Sequence, residues 1–375
     1  MHTLTFFPIG NADCCQIDLA CGRKLLFDYA HYRNAEDEED LRIDLATALR
    51  EDLKAANRDY YDVVAFTHAD DDHIHGASEF FYLEHAKKYQ DDNRIKITEL
   101  WVPAAMIIEE NLEGEARILR AEARHRLKAG KGIRVFSRPD RLLAWLENEG
   151  LKLEHRKHLI TDAGQLVPGF TMESEGVEFF VHSPFAVRLK DGNLVDRNEC
   201  SLILQATFVY DAKVTRFMIC GDTTYEILAD IVNITRYYKR DERLAWDVFN
   251  IPHHCSYMAL SSKRGEVKTE PFPKVKWLFE QGFERGILVS SSNRIPENYE
   301  DPQPPHPQAA NYYNERASAI TGDFVVTMEY PKPSSPAPVR ITIDGSKATL
   351  RKTILSGSIG IISRPAPRAG GTNVY

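Results

Sequence analysis

His68, Asp70, Asp72, His73 and His75 crowd into the eight residues 68–75 of the segment THADDDHIHG, directly after the apolar run YDVVAFT. Imidazole nitrogens and carboxylate oxygens at this density are the donors of a divalent metal site. In extended backbone, residues two apart project to the same side, so His68 and Asp70 can share one ion while Asp72 and His73, at the turn, reach a second. Two more segments follow apolar runs in the same way: CGDTT, with Asp222, and IPHHCS, with His253 and His254. A carboxylate can bridge two ions about 3.5–4 Å apart, the geometry of two-metal hydrolases, and Asp222 is the candidate bridge. Neighbouring histidines do not easily face one ion, so His253 and His254 are alternatives at this stage.

These segments need a scaffold that delivers several loops to one place. Residues 3–8, 14–19 and 24–28 read as three short strands separated by turns at Gly10 and Gly22, an opening antiparallel meander. A helix is expected within 40–56, where Leu41, Ile43, Leu45, Leu49 and Leu53 form an apolar stripe, and a strand at 61–67. Further helices are expected at 104–128, 141–149 and 308–315. Strands are expected at 177–182, 202–210, 215–220, 247–252, 285–290, 324–329, 339–343 and 349–354. Proline-rich 295–307 and 331–338 read as loops. Strands flowing into helices in two successive halves imply an α/β protein with mixed sheets, its chemistry on loops at strand ends.

The chain has 375 residues and a formal net charge of −8, which is not the profile of a protein that coats nucleic acid non-specifically. Charge is uneven, however. Nine Lys or Arg fall between Arg117 and Arg141 against Glu122 and Asp140, and residues 36–40 are EDEED. Arg117, Arg120, Arg124, Arg126, Lys128, Lys131 and Arg134 form a candidate surface for a phosphate backbone, with a solvated helix face as the other reading. No apolar run approaches the roughly 18 residues of a membrane-spanning helix, and the start MHTLTFFPIG carries no secretory leader, so a cytoplasmic protein without membrane contact is expected. Six cysteines without a C-x-x-C pair exclude a disulfide framework and a zinc finger.

Taken together, the motifs resemble the metallo-β-lactamase fold hydrolases, whose signature is His-x-His-x-Asp-His on a loop after a strand. Here Asp70 stands at the second histidine, a variation similar to the hydrolase domain of ComEC-type DNA-uptake proteins. The opening FFPIGNADCCQIDL resembles that branch's Phe-x-x-x-Gly-x-x-Asp, and LLFDYA places Asp28 at the family's structural aspartate. RNECSLIL, with Asn198 and Ser201, resembles Asn-x-x-Ser-Leu; MICGDTT resembles Thr-Gly-Asp; PHHCS resembles Pro-His-His-Gly-Ser. VSSSNR and PPHP, with His306, extend the likeness weakly.

The resemblance implies a four-layer αββα sandwich, one domain over 1–355 with a basic helical insertion at about 104–160, followed by a Gly/Ser/Pro-rich tail at 356–375 that could dock a protein partner. It implies two divalent ions, Zn²⁺ or Mn²⁺ with Mg²⁺ as a third candidate, since two oxygen ligands harden the site. His68, Asp70, Asp72, His73, Asp222 and His254 are the implied ligands, with His254 favoured over His253. The family's remaining histidine is absent between His182 and His253, so Asn198 or His182 would have to replace it. Cys255 replaces a glycine, either as a ligand or as a buried bystander, and His75 is a candidate for substrate contact or support. The expected activity is phosphodiester hydrolysis of nucleic acid or a nucleotide-like substrate. A water between the ions, with Asp72 beside it, would lose a proton near neutral pH, and Ser256 or His306 would meet a phosphate oxygen or the leaving group. Amide or ester hydrolysis, and a slow subunit activated by a partner, are the alternatives.

Overall fold

Leu4 and Phe6, Cys15 and Ile17, and Leu25 and Phe27 alternate along the first three strands and stand in register, Leu4 opposite Ile17 and Cys15 opposite Phe27. Alternation of period two turns one face of the meander inward. The computed structural model describes residues 1–185, 197 and 200–352. Its strands are β1 (His2–Phe6), β2 (Cys15–Asp18), β3 (Lys24–Phe27), β4 (Tyr60–Ala65), β5 (Lys96–Pro103), β6 (Ile133–Phe136), β7 (Ile160–Thr161), β8 (Val177–Ser183), β9 (Ile203–Tyr210), β10 (Lys213–Cys220), β11 (Trp246–Ile251), β12 (Gly282–Ser290), β13 (Asp323–Val326), β14 (Val339–Asp344) and β15 (Lys347–Leu350). The helices are α1 (Leu45–Ala55), α2 (Asp71–Ile74), α3 (Ala77–Phe80), α4 (Ala105–Ile108), α5 (Gly114–Ala129), α6 (Asp140–Asn148), α7 (Tyr225–Tyr237), α8 (Pro273–Phe279) and α9 (Pro307–Ala319).

Two mixed sheets result, one ordered β15-β14-β1-β2-β3-β4-β5-β6-β7 and the other β13-β12-β11-β10-β9-β8. Three cores separate the layers. Between the sheets lie Phe6, Phe27, Trp101, Phe179, Phe217 and Val289; outside the first sheet, α1 and α3–α6 pack on Val64, Leu100 and Val135; outside the second, α7–α9 pack on Met218, Phe249 and Leu288. The fold is an αββα sandwich of α/β class. Trp101 fixes the inter-sheet spacing, with edge-on contacts to Phe27, Phe136, Phe170 and Phe179 at 5.5–6.2 Å, each worth about 0.5–1.5 kcal/mol beyond area burial.

Helix α1 follows from its sequence. Leu45, Leu49 and Leu53 recur every four residues on the buried face, and the Asp44 carboxylate caps the first turn by accepting from Thr47 N–H at 2.9 Å. The helix expected at 104–128 is instead two, α4 and α5, separated by a break in which Asn111 adopts φ +57°. The 104–160 segment also contains β6, paired parallel to β5 and β7, so this segment extends the first sheet as well as covering it. The tail at 356–375 lies outside the described residues. No helix among those described is long and apolar enough to cross a membrane.

Strands β3 and β4 run parallel, as do β10, β11 and β12. Their C-terminal ends therefore open on one edge of the sandwich, where α/β proteins place their ligands.

Candidate metal centre

Five segments at that edge deliver polar side chains. Asp13 precedes β2, Asp28 follows β3, the His68–His73 segment follows β4, Asp222 follows β10, and His253 and His254 follow β11. Gly221 makes the approach of the two sheet edges feasible, because a Cβ there would lie 2.4 Å from Thr67 Oγ1 and 2.5 Å from Ser201 Oγ. His253, His254 and Cys255 hold three successive positive φ angles, 55°, 50° and 65°. Left-handed backbone at three L-residues in a row is strained, of order 1 kcal/mol or more for each. The strained turn carries both imidazoles toward one carboxylate.

His73 is central. Its Nδ1–H donates to Asp28 Oδ2 at 2.8 Å, and Asp28 is itself fixed by Thr67 N–H and Thr67 Oγ1–H, both at 2.7 Å. This leaves His73 Nε2 turned to the cluster, 3.3 Å from Asp222 Oδ1, 3.9 Å from Asp13 Oδ2 and 4.0 Å from Asp72 Oδ1. His254 is held in the same way, its Nδ1–H donating to the Ser291 carbonyl at 2.8 Å while Nε2 lies 3.1 Å from Asp72 Oδ2 and 3.5 Å from Asp222 Oδ1. A histidine whose second nitrogen is fixed by a carboxylate or carbonyl is the usual way a metal ligand is oriented. The two oxygens of Asp222 divide the histidine pair, with Oδ2 3.8 Å from His253 Nε2 and Oδ1 facing His254.

One ligand atom each from Asp13, His73, Asp222 and His254 lies within 4.8 Å of the others, and all four residues are buried. Asp13 Oδ2, His73 Nε2 and Asp222 Oδ1 are buried without a hydrogen-bond partner. Unsatisfied buried donors and acceptors cost about 1–3 kcal/mol each, so three converging on one point mark a place built for a further group. Two imidazoles and three carboxylates, counting Asp72, suit a divalent cation of borderline to hard character. The residues fit a metal ion.

Charge in the cluster is strongly coupled. Burial alone would lower His73, but the Asp28 and Asp222 carboxylates outweigh it and hold the imidazole well above its ordinary value. His254 is likewise lowered by burial yet lifted further by Asp222 and Asp72, to about 9. Burial would raise Asp222, but His254 and His73 drive it well below the usual carboxylate range. Asp13, where desolvation wins over both imidazoles, is pushed up to about 6.

His68 is buried beside His73, with rings 4.0 Å apart, and forms a second donor group with Asp72 and His73. Asp70 turns to Arg197, whose Nη1–H donates to Oδ1 at 2.6 Å. His75 points away, stacked on Tyr32 and bonded to Asp71 Oδ2 at 3.0 Å. His182 does not replace the absent histidine: β8 is the far edge strand of the second sheet, and the ring is buried there against the Arg243 carbonyl at 2.9 Å. Burial lowers it to about 4. Ser256 and His306, expected to meet substrate, are buried in the turn behind the histidine pair. Ser256 Oγ accepts from Met258 N–H at 3.2 Å and His306 Nδ1 from Tyr257 N–H at 3.4 Å, because the 295–306 loop folds back onto that turn. Cys255 is fully buried among the apolar side chains of the outer core and belongs to neither donor group. Asn198 lies outside the described residues.

Contrary to the expected phosphate-binding surface, most cations of the basic segment are tied to groups of the fold. Arg126 is buried against Glu122 at 2.6 Å and caps the carbonyls of Ile97 and Gly132. Arg134 is buried against Glu99 and Thr161. Arg120 and Arg124 donate to the carbonyls of Glu109 and Ile107, and Lys128 pairs with Glu149. Arg117 and Lys131 remain exposed. Two residues of the centre, Asp13 and Arg197, were not singled out from the sequence as site residues, although Asp13 is the aspartate of the opening motif.

No protein-family model matches this chain and no curated protein matches it. Among solved structures, Zn²⁺-bound PqqB from Methylobacterium extorquens aligns at 11% identity over 87% of this chain and 97% of its own, with a TM-score of 0.33. A diphosphatase of the PhnP family aligns at 9% identity over 87% of each chain, with a TM-score of 0.31. The metallo-β-lactamase GOB-18 from Elizabethkingia meningoseptica aligns at 11% identity over 84% of this chain and 89% of its own, with a TM-score of 0.32. The four-layer architecture stands on this chain's own sheet order and cores.

Proposed function

We propose that this protein is a metal-dependent hydrolase acting on a phosphodiester, and that Asp72, His73, Asp222 and His254, with Asp13 behind them, hold the ion. The convergence of buried, unpartnered Asp13 Oδ2, His73 Nε2 and Asp222 Oδ1 carries this reading. A divalent ion bound there supplies Lewis acidity and makes a water acidic near neutral pH. Asp28 and the Ser291 carbonyl keep His73 and His254 in the tautomer that presents Nε2. Asp72 is the one carboxylate of the quartet that also meets solvent, with its side chain 33% exposed, so it is placed to accept a hydrogen bond from an attacking water and orient it.

The carboxylate-rich donor set favours a hard ion and with it phosphoryl chemistry. The motif resemblance to ComEC-type hydrolase domains supports the same class. With most guanidiniums of the basic segment tied to carbonyls and carboxylates, a small or nucleotide-like phosphodiester fits better than a polymer gripped along its backbone.

The test is to strip the protein with chelator, refill it separately with Mn²⁺, Mg²⁺ and Zn²⁺, and offer bis(p-nitrophenyl) phosphate, cyclic nucleotides, single- and double-stranded DNA, RNA and an activated amide. Asp72→Ala serves as the control. Metal-dependent phosphodiester cleavage by wild type, lost in Asp72→Ala, is expected. Cleavage of the amide alone, or of nothing by the metal-loaded protein, would overturn the phosphodiesterase reading.

A further inference from the structure

The donors at the sandwich edge form two groups, Asp13, His73, Asp222 and His254, and His68, Asp72 and His73. Both require His73. Because Nδ1 of that ring is committed to Asp28, only Nε2 is available to either group. One nitrogen lone pair binds one ion, so the groups are alternative shells around a single position and not two separate sites.

A second shell would have to be built on His68 and Asp70, the residues that occupy the first two positions of the His-x-Asp-x-Asp-His segment. His68 Nε2 lies 3.4 Å from Asp70 Oδ2, close enough for the two to share an ion. Among the described residues, however, no third histidine, cysteine or carboxylate comes within 4.8 Å of both. His182 is on the far edge strand. Asp70 is also already partnered by a cation. Arg197 Nη1–H donates to Asp70 Oδ1 at 2.6 Å and to the Ala69 carbonyl at 3.1 Å, while Nε–H and Nη2–H donate to Glu109 at 2.9–3.1 Å. The planar guanidinium is thus clamped between two carboxylates on opposite sides. An arginine fixed by its whole fork is a permanent charge in a defined place.

We propose that the centre holds one divalent ion, on Asp72, His73, Asp222 and His254, and that the guanidinium of Arg197, docked on Asp70, occupies the role of the second ion. Asp70 is then an anchor for a cation of the chain itself. This inference rests on the metal-centre reading above and adds the number of ions and the function of Arg197. The rival arrangement has Asp70 ligating through Oδ2 while Arg197 supports it from behind, and it requires two ions.

The experiment is metal counting by native mass spectrometry and elemental analysis on the full chain, stripped, reloaded with Zn²⁺ or Mn²⁺ and freed of loose metal, with folding checked by circular dichroism. Wild type is expected to retain one ion per chain. Asp70→Asn is expected to keep that ion with an affinity loss smaller than about tenfold, below the 10–100-fold typical of even an indirect supporting residue. Arg197→Ala, which releases Asp70 beside His68, is expected to take up a second, weaker ion when titrated with excess metal, and Arg197→Lys to remain at one; a single ion in Arg197→Ala under excess metal would overturn the role given to Arg197. Two ions in wild type, or loss of the ion in Asp70→Asn, would overturn the inference and leave the metal centre standing. No ion in wild type would overturn the metal-centre reading and this inference with it.

Discussion

The loop at 67–76 and the segment at 117–141 are the two densest runs of ionisable side chains that the sequence singles out for chemistry, and the fold treats them oppositely. In the segment, Arg126, Arg134, Arg120 and Arg124 each find a carboxylate or carbonyl within the same layer. In the loop, His73 and its neighbours Asp13 and Asp222 bring buried atoms without a hydrogen-bond partner to one point, whereas the unpartnered Arg134 Nε and Ser137 Oγ of the segment are not part of a donor cluster. Charge density alone therefore does not mark a site. Unpaired buried atoms also occur singly elsewhere, as at Thr215 Oγ1 and Tyr313 Oη, so it is the convergence of several metal-competent ones that marks a place for a further group.

The contrast can be broken first at Asp222. Asp222→Ala removes the carboxylate that faces His73, His254 and His253, and is expected to lower metal affinity by more than about 100-fold, beyond the range for supporting residues. Equilibrium dialysis checks this. The fold should survive, and unchanged affinity would show that the unpartnered atoms serve something other than metal.

A stability experiment sharpens the other side. Glu122 is fully buried and pairs with Arg126 and with His85, and Glu122→Ala leaves the buried guanidinium with only the half-exposed Glu84, at 3.6 Å, as a carboxylate partner. A loss of about 3–5 kcal/mol in urea unfolding is expected, with the metal count unchanged. Replacing exposed Arg117 and Lys131 by Gln should stay within about 0.5 kcal/mol. If those two changes abolish turnover on a small phosphodiester, the segment has a part in function that its packing conceals.

The smallest effect is a proton inventory. In the metal-free protein His254 titrates at about 9 in place of 6.5, and His73 is raised as well. A raised imidazole stabilises the folded state fully below about 6.5, and that contribution disappears as pH rises through about 9. The metal-free fold should lose stability across this interval, while the metal-loaded fold, with both imidazoles deprotonated, should not. Metal binding at pH 7 should release at least one proton, measured by calorimetry in buffers of different ionisation enthalpy, and the release should fade above pH 9. Binding without proton release would place the ion elsewhere.

Much of the centre was readable because each contribution obeys one local rule: an apolar strand ends and a histidine or aspartate follows. That rule exposes His68–His73, Asp222 and the histidine pair together. Asp13 is harder to see, since an aspartate in GNADCC reads as a turn residue. Its place depends on the β1–β2 connection reaching the loop, where Asp13 N–H donates to the Asp72 carbonyl at 3.2 Å. Arg197 was invisible for a similar reason, lying 127 residues from Asp70. His182 and His306 misled because order along the chain does not reveal which sheet face or which side of a turn a ring occupies. The opening meander and the α/β class followed from period-two runs. Strands β5 and β6 did not, because the buried half of KITELWVP follows exposed charged residues and IRVF sits inside a basic run that imitates an exposed helix face.

The most direct test of the metal centre is X-ray absorption spectroscopy at the zinc edge on the zinc-loaded full chain, compared with His73→Ala and His254→Ala. The expected spectrum is a nitrogen and oxygen first shell with outer-shell scattering from two imidazoles, falling to one in each variant, and no sulfur. Sulfur scattering from Cys255, or an imidazole count that neither substitution changes, would contradict the assignment.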